Sequence, residues 1–169
     1  MSSIVLVVDF QESFDTSSIE DKVRSLTKLT DNTIISLKFK NREGSIFEAE
    51  LNYKDSIEPE LPDWLIRRSD KVFERFGYDG TRSEDFSTYL LDNKIEACYV
   101  VGVETDACVL STAMSLLDMG IQPIVIKDCC TTEASDDVEN SALNILRRNI
   151  GYQNVVKLEQ SDLGFKFDD

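Results

Sequence analysis

The sequence has no histidine in 169 residues. That absence removes Ser-His-Asp and Cys-His catalysis, in which an imidazole carries the proton. It removes His-ligated zinc and iron sites as well. Any nucleophile in this chain must be activated by some other group. Basic residues are also scarce, with 18 Lys and Arg against 32 Asp and Glu and a net charge of −14. Nucleic acid requires a basic patch to meet its phosphates, and anionic membranes require the same. Neither is an expected partner. The charge itself reads as a solubilising surface. No apolar run approaches the roughly 20 residues that span a bilayer. The first such run, residues 4–8, is too short for a secretory signal and lacks a basic flank. The four cysteines, Cys98, Cys108, Cys129 and Cys130, fit no CxxC or zinc-ribbon spacing. Adjacent Cys129 and Cys130 are poor disulfide partners for each other. All four read as thiols of a reducing compartment, which makes the expected location cytoplasmic.

What is present fits one domain of ordinary size spanning residues 1–169, with 41% hydrophobic residues to fill its core. Residues 4–8 (IVLVV) form a continuous β-rich run, as in a strand covered on both faces. Further strands are expected at 33–37, 71–74, 97–101, 122–126 and 154–158. Helical spacing runs through Ile19, Val23 and Leu26. It recurs through Phe86, Tyr89, Leu90 and Leu91 behind a Ser83 cap. A third helix carries Val109, Leu110, Ala113, Leu116 and Leu117, and Gly120 closes it. A fourth carries Val138, Ala142, Leu143 and Leu146 between Ser135 and Gly151. Residues 41–66 show no period and read as a loop or short helix, with the makings of a lid. Strands alternating with helices give an α/β fold of three layers, with a parallel sheet between helices.

Two residues stand where chemistry is placed in such folds. Asp9 directly follows the first strand, at the carboxyl edge where ligands bind. A capping role for the next segment is the plainer alternative. Cys108 follows the fourth strand, near the start of the next helix. Unpaired N–H groups there favour an ionised thiol and are placed to hold an oxyanion. A buried structural cysteine is the plainer alternative.

The stretch I-V-L-V-V-D-F-Q-E-S-F at 4–14 and the stretch V-G-V-E-T-D-A-C-V-L-S-T-A at 101–113 together resemble the isochorismatase-like cysteine hydrolases, a family that includes nicotinamidases. The first matches an apolar strand followed by D-x-Q-x-x-F. The second matches G-x-x-T-x-x-C-V-x-x-T-A. D-C-C-T-T at 128–132 resembles the family's strand-end segment, and the likeness runs from residue 4 to about 150. The resemblance implies a six-stranded sheet of order 3-2-1-4-5-6. It sets the first and fourth strands side by side and brings Asp9 to face Cys108. It implies a cis peptide between Val103 and Glu104, with the N–H groups of Glu104 and Cys108 as the oxyanion hole. It implies hydrolysis of a small amide or ureido substrate through a thioester. A homo-oligomer is expected by the same analogy.

The chain departs from the family pattern in two places. The family lysine that follows the third strand aligns with Arg75, and Lys71 is the less favoured candidate for that role. Arginine supplies the positive charge but cannot give up a proton. The family's metal-binding Asp and His after the second strand are replaced by L-K-F-K-N-R-E-G, so neither metal nor cofactor is expected. True isochorismatases lack the nucleophilic cysteine, so Cys108 disfavours vinyl-ether hydrolysis. Gln11, Phe14, Trp64, Phe73, Phe76, Tyr78 and Thr105 are pocket candidates. Two rival readings remain: a catalytically silent binding or scaffold protein, and a thiol redox role for Cys108 with Cys129 or Cys130.

Overall fold

The structure is a computed structural model that describes residues 2–53 and 60–163. Six parallel strands form one sheet of order β3-β2-β1-β4-β5-β6. They are β1 (Ser3–Val8), β2 (Thr33–Phe39), β3 (Lys71–Arg75), β4 (Ala97–Gly102), β5 (Gln122–Cys130) and β6 (Val155–Val156). The helices are α1 (Glu20–Leu29), α2 (Ile46–Leu51), α3 (Asp63–Ile66), α4 (Glu84–Asp92), α5 (Leu110–Asp118) and α6 (Asp136–Ile150).

Alternation along β1 accounts for the layers. Ile4, Leu6 and Val8 face one side, where Phe86 and Leu90 of α4, Ala113 and Leu116 of α5, and Leu143 and Leu146 of α6 cover them. Val5 and Val7 face the other side, under Val23 and Leu26 of α1 and Leu65 of α3. Both faces are thus buried, as an all-parallel sheet requires. The order reverses between β1 and β4, where Val8 pairs with Gly102. Gly102 has φ +118, and a Cβ there would lie 2.1 Å from the Val8 carbonyl oxygen. Only glycine allows the two strand ends to close up in this way.

The strand ends differ from the expected ones. β5 continues to Cys130 because its register with β4 shifts between Val100 and Gly102, and Gly102 pairs with Cys130. The last strand shrinks to two residues because short 3₁₀ turns flank it on both sides. Leu91, Leu117 and Val138, expected on core faces, are exposed. Each lies at the edge of its helical stripe, where neighbours at the right spacing already fill the interface. Of the irregular segment 41–66, residues 54–59 lie outside the described residues. Among the described residues, no helix is long and apolar enough to cross a membrane.

Candidate active site

Three side chains meet at the carboxyl edge, each delivered by a different strand. Asp9 follows β1 with φ +48, a left-handed conformation that Asp tolerates better than most residues. Its N–H donates to the Leu37 carbonyl at 3.1 Å, which fixes the bend against β2. Arg75 is the last residue of β3, paired with Phe39. Its guanidinium donates from Nη2 to Asp9 Oδ2, and both side chains are wholly buried. Cys108 sits in a π-helical turn, Thr105–Val109, between β4 and α5 and is 6% exposed. Its thiol lies beside both members of the ion pair.

Burial dominates the electrostatics of this corner. Asp9 is pushed up from its ordinary value by desolvation, and Arg75 and the thiol pull part of the way back. Desolvation is the largest influence on Arg75 and works to lower it, but the charges and hydrogen bonds of Asp9 and Cys108 together outweigh it and hold the guanidinium protonated. Cys108 is pushed well above an ordinary thiol by burial first and by the Asp9 charge second, with Arg75 opposing. The easily ionised thiol expected at a helix start is therefore not found. Lost solvation and a facing carboxylate outweigh the N–H groups of a single turn. The corner sets a buried thiol beside the buried Asp9–Arg75 pair.

The pocket candidates divide into three groups. Phe14 and Tyr78 line a small cavity over Cys108, with Phe39, Tyr53, Glu104 and Ala107. The cavity measures about 10 Å³, scarcely the room for one water. Gln11 is buried and serves as a bracket: its amide accepts from the Phe39 N–H at 2.7 Å and donates to the Phe39 carbonyl at 3.1 Å. Thr105 is buried too, donating its hydroxyl to Glu139 at 3.0 Å. The other aromatics belong elsewhere. Trp64 packs edge-on against Phe10, with Arg24 over its ring. Phe73 lies between Phe86 and Tyr89 on the α4 side. Phe76 stacks near Phe39 and Phe47, outside the residues that line the cavity. Lys71 opens β3, some 13 Å up-strand from Arg75 at about 3.3 Å per residue, and its ammonium sits over the Tyr89 ring.

Sequence reasoning missed Phe39, Tyr53 and Ala107. Tyr53 lies in a stretch with no period, so nothing in the pattern marks it. Its carbonyl accepts from buried Asn41 at 2.8 Å, which folds the segment back over the site. The same Asn41 tests the family's metal. Its Oδ1 is already taken by the Arg42 N–H and the Ser45 hydroxyl, and its flanking residues are Lys40 and Arg42. Among the described residues, no three Asp, Glu or Cys side chains are grouped to hold a metal ion. The residues after β2 do not fit one.

The isochorismatase domain family profile matches residues 3–155. The chain belongs to that family. The peptide between Val103 and Glu104 is cis, as the family resemblance implies. An isochorismatase-like hydrolase from Alkaliphilus metalliredigens superposes with a TM-score of 0.78 at 18% identity, covering 95% of this chain and 97% of its own. A nicotinamidase from Bacillus subtilis superposes with a TM-score of 0.76 at 19% identity, over 89% of this chain and 97% of its own. Isochorismatase domain-containing protein 2 of Bos taurus is 43% identical over 44 residues. That match spans 26% of this chain and only 22% of the bovine protein's length.

Proposed function

We propose that this isochorismatase-family chain is a cysteine hydrolase of small amide or ureido substrates. The observation that carries the reading is the buried Asp9–Arg75 ion pair set against the Cys108 thiol. Asp9 takes the thiol proton as sulfur attacks the carbonyl carbon. The N–H groups of Glu104 and Cys108 hold the tetrahedral oxyanion. The C–N bond breaks as the leaving nitrogen takes the proton from Asp9, which leaves a thioester on Cys108. Water then attacks the thioester, Asp9 takes its proton, and the acid product leaves as that proton returns to sulfur. The raised Asp9 pKa suits a group that must hold a proton in mid-cycle. Arg75 cannot donate one, so it supplies fixed charge and orientation. In this reading all proton traffic runs through Asp9.

The four thiols are free and buried, in keeping with a cytoplasmic protein. Cys129 packs in the core on the opposite sheet face from Cys108, which disfavours their pairing in a redox role. One observation favours the silent-scaffold reading: the cavity over Cys108 is nearly closed. The test addresses both. A panel of small amides is screened for ammonia release, and the acyl-enzyme is trapped by acid quench and intact mass. Cys108→Ala is expected to abolish both signals, a loss of about a thousandfold or more. Turnover that survives Cys108→Ala would remove the mechanism.

A further inference from the structure

A second set of side chains meets the same cavity and has no part in the proposed attack. Its walls are the rings of Phe14, Phe39, Tyr53 and Tyr78, and Glu104 lies among them, 9% exposed. Glu104 Oε2 accepts the Glu133 N–H at 2.6 Å, while Oε1 is buried without a hydrogen-bond partner. Asp106 lies in the same turn, and its Oδ1 accepts the Thr132 hydroxyl at 2.6 Å. Glu139 is joined to that turn through Thr105.

Among the described residues, no Lys or Arg is ion-paired with these carboxylates. Arg75 is paired with Asp9. Arg42 stacks on Phe76, which does not line the cavity. The field reaches the walls: burial first, then Tyr78, Cys108, Glu104 and Asp106, push the Tyr53 phenol up to about 12. Glu104 is itself held above the usual carboxylate range by burial, which the Glu133 N–H and Thr132 oppose and the Glu133 and Asp106 charges reinforce.

Aromatic faces beside uncompensated carboxylates attract positive charge, since ring quadrupole and carboxylate act in the same sense. We infer that the substrate is a cationic amide, its ammonium or amidinium seated among the Tyr53, Tyr78 and Phe14 rings and hydrogen-bonded to Glu104 Oε1, with Asp106 adding charge. This rests on the hydrolase reading and names its substrate class. A neutral amide leaves Glu104 Oε1 buried and unpartnered, which is expensive. A protonated amine both donates to it and balances its charge.

The test uses isosteric pairs that differ only in charge: 3-aminopropanamide against butanamide, and 4-aminobutanamide against pentanamide. Ammonia release is measured with the native chain. Binding is measured by calorimetry on Cys108→Ala, which cannot turn over. The cation of at least one pair is expected to be preferred by about tenfold or more. Glu104→Gln and Asp106→Asn are each expected to reduce that preference at least about threefold, with melting curves confirming that each variant is folded. Asp106→Asn leaves the Glu133 contact of Glu104 intact, so the proposal does not hang on one variant. Equal binding within both pairs, a preference untouched by both substitutions, or no binding of either cation overturns the inference. Preferred binding of the cation without ammonia release keeps the inference and removes the hydrolase reading. Equal turnover of cation and neutral amide does the reverse.

Discussion

The corner that holds Asp9, Arg75 and Cys108 and the cap that lies over it are built by different means. The corner hangs from the ends of β1, β3 and β4: Arg75 is fixed by the sheet register, Asp9 by its N–H bond to the Leu37 carbonyl, and Cys108 by the turn that follows β4. The cap comes from the described residues that follow β2, 40–53. Its helix α2 buries none of its residues, although Ser45 caps it by accepting the Glu48 N–H at 3.2 Å. Ring contacts hold it down instead: Phe47 against Phe39 at 5.5 Å, Phe47 against Tyr53 at 6.1 Å, and Tyr53 against Phe14 at 6.2 Å. Such pairs contribute roughly 0.5–1.5 kcal/mol each beyond burial. Local opening of the cap is therefore far easier than opening of the sheet edge. A cavity that is nearly closed over the thiol is consistent with chemistry, provided that the cap is the part that yields.

The sharpest way to break this contrast is to attack the corner. Arg75→Met leaves Asp9 as a buried, unpaired carboxylate, and a loss of about 3–5 kcal/mol is expected. The loss is pH-dependent. Asp9 is already raised in the fold above its ordinary 3.8. Its contribution is therefore fully present below that value and is lost as pH rises through the folded pKa. Removing Arg75 raises the folded pKa further, so urea melts of the variant should show a larger deficit at pH 8 than at pH 4. An equal deficit at both would place the ion pair outside the stability of the corner.

The same shift governs activity. Asp9 must be ionised to accept the thiol proton, so kcat/KM should fall as pH drops through the raised Asp9 value. The acid limb then lies above the position of an exposed aspartate, and a limb centred near 3.8 contradicts the burial argument.

A milder blow falls on the cap. Tyr53→Ala removes one wall, and labelling of Cys108 by iodoacetamide is expected to quicken several-fold at a stability loss of about 1 kcal/mol. Unchanged labelling would mean that the cap does not gate the thiol. The smallest effect is expected at Trp64, the single tryptophan of the chain. Trp64→Phe should leave kcat/KM within about twofold and lower stability by less than about 1.5 kcal/mol. A larger change in kcat/KM would extend the site to the α1 side of the sheet.

The corner was legible in the sequence and the cap was not, for a physical reason. Continuous β-rich runs and capped helical stripes announce a parallel sheet, and strand ends announce its edge. Asp9 and Cys108 are marked by position alone, one directly after the first strand and the other after the fourth. Strand length decides which of Arg75 and Lys71 reaches Asp9. The third strand runs one residue beyond its apparent end, so Arg75 arrives at Asp9 while Lys71 stays at the far end. The cap carries no such period. Tyr53 is placed by a carbonyl bonded to Asn41, and Phe39 by a bracket from Gln11, contacts that leave no regular spacing. Trp64, Phe73 and Phe76 show the same limit from the other side. They are close in sequence to site segments, yet sheet alternation turns Phe73 into the α4 core, and α3 carries Trp64 onto Phe10.

The Val8–Gly102 contact has a consequence for how this chain accepts mutation. Alanine is the smallest step away from glycine, and at 102 it already sets a carbon against backbone. That position is closed to drift, and with it the spacing between β1 and β4. Residues on α2 meet no such wall. Variation entering the chain is thus channelled toward what is admitted to the thiol and away from the thiol's own surroundings.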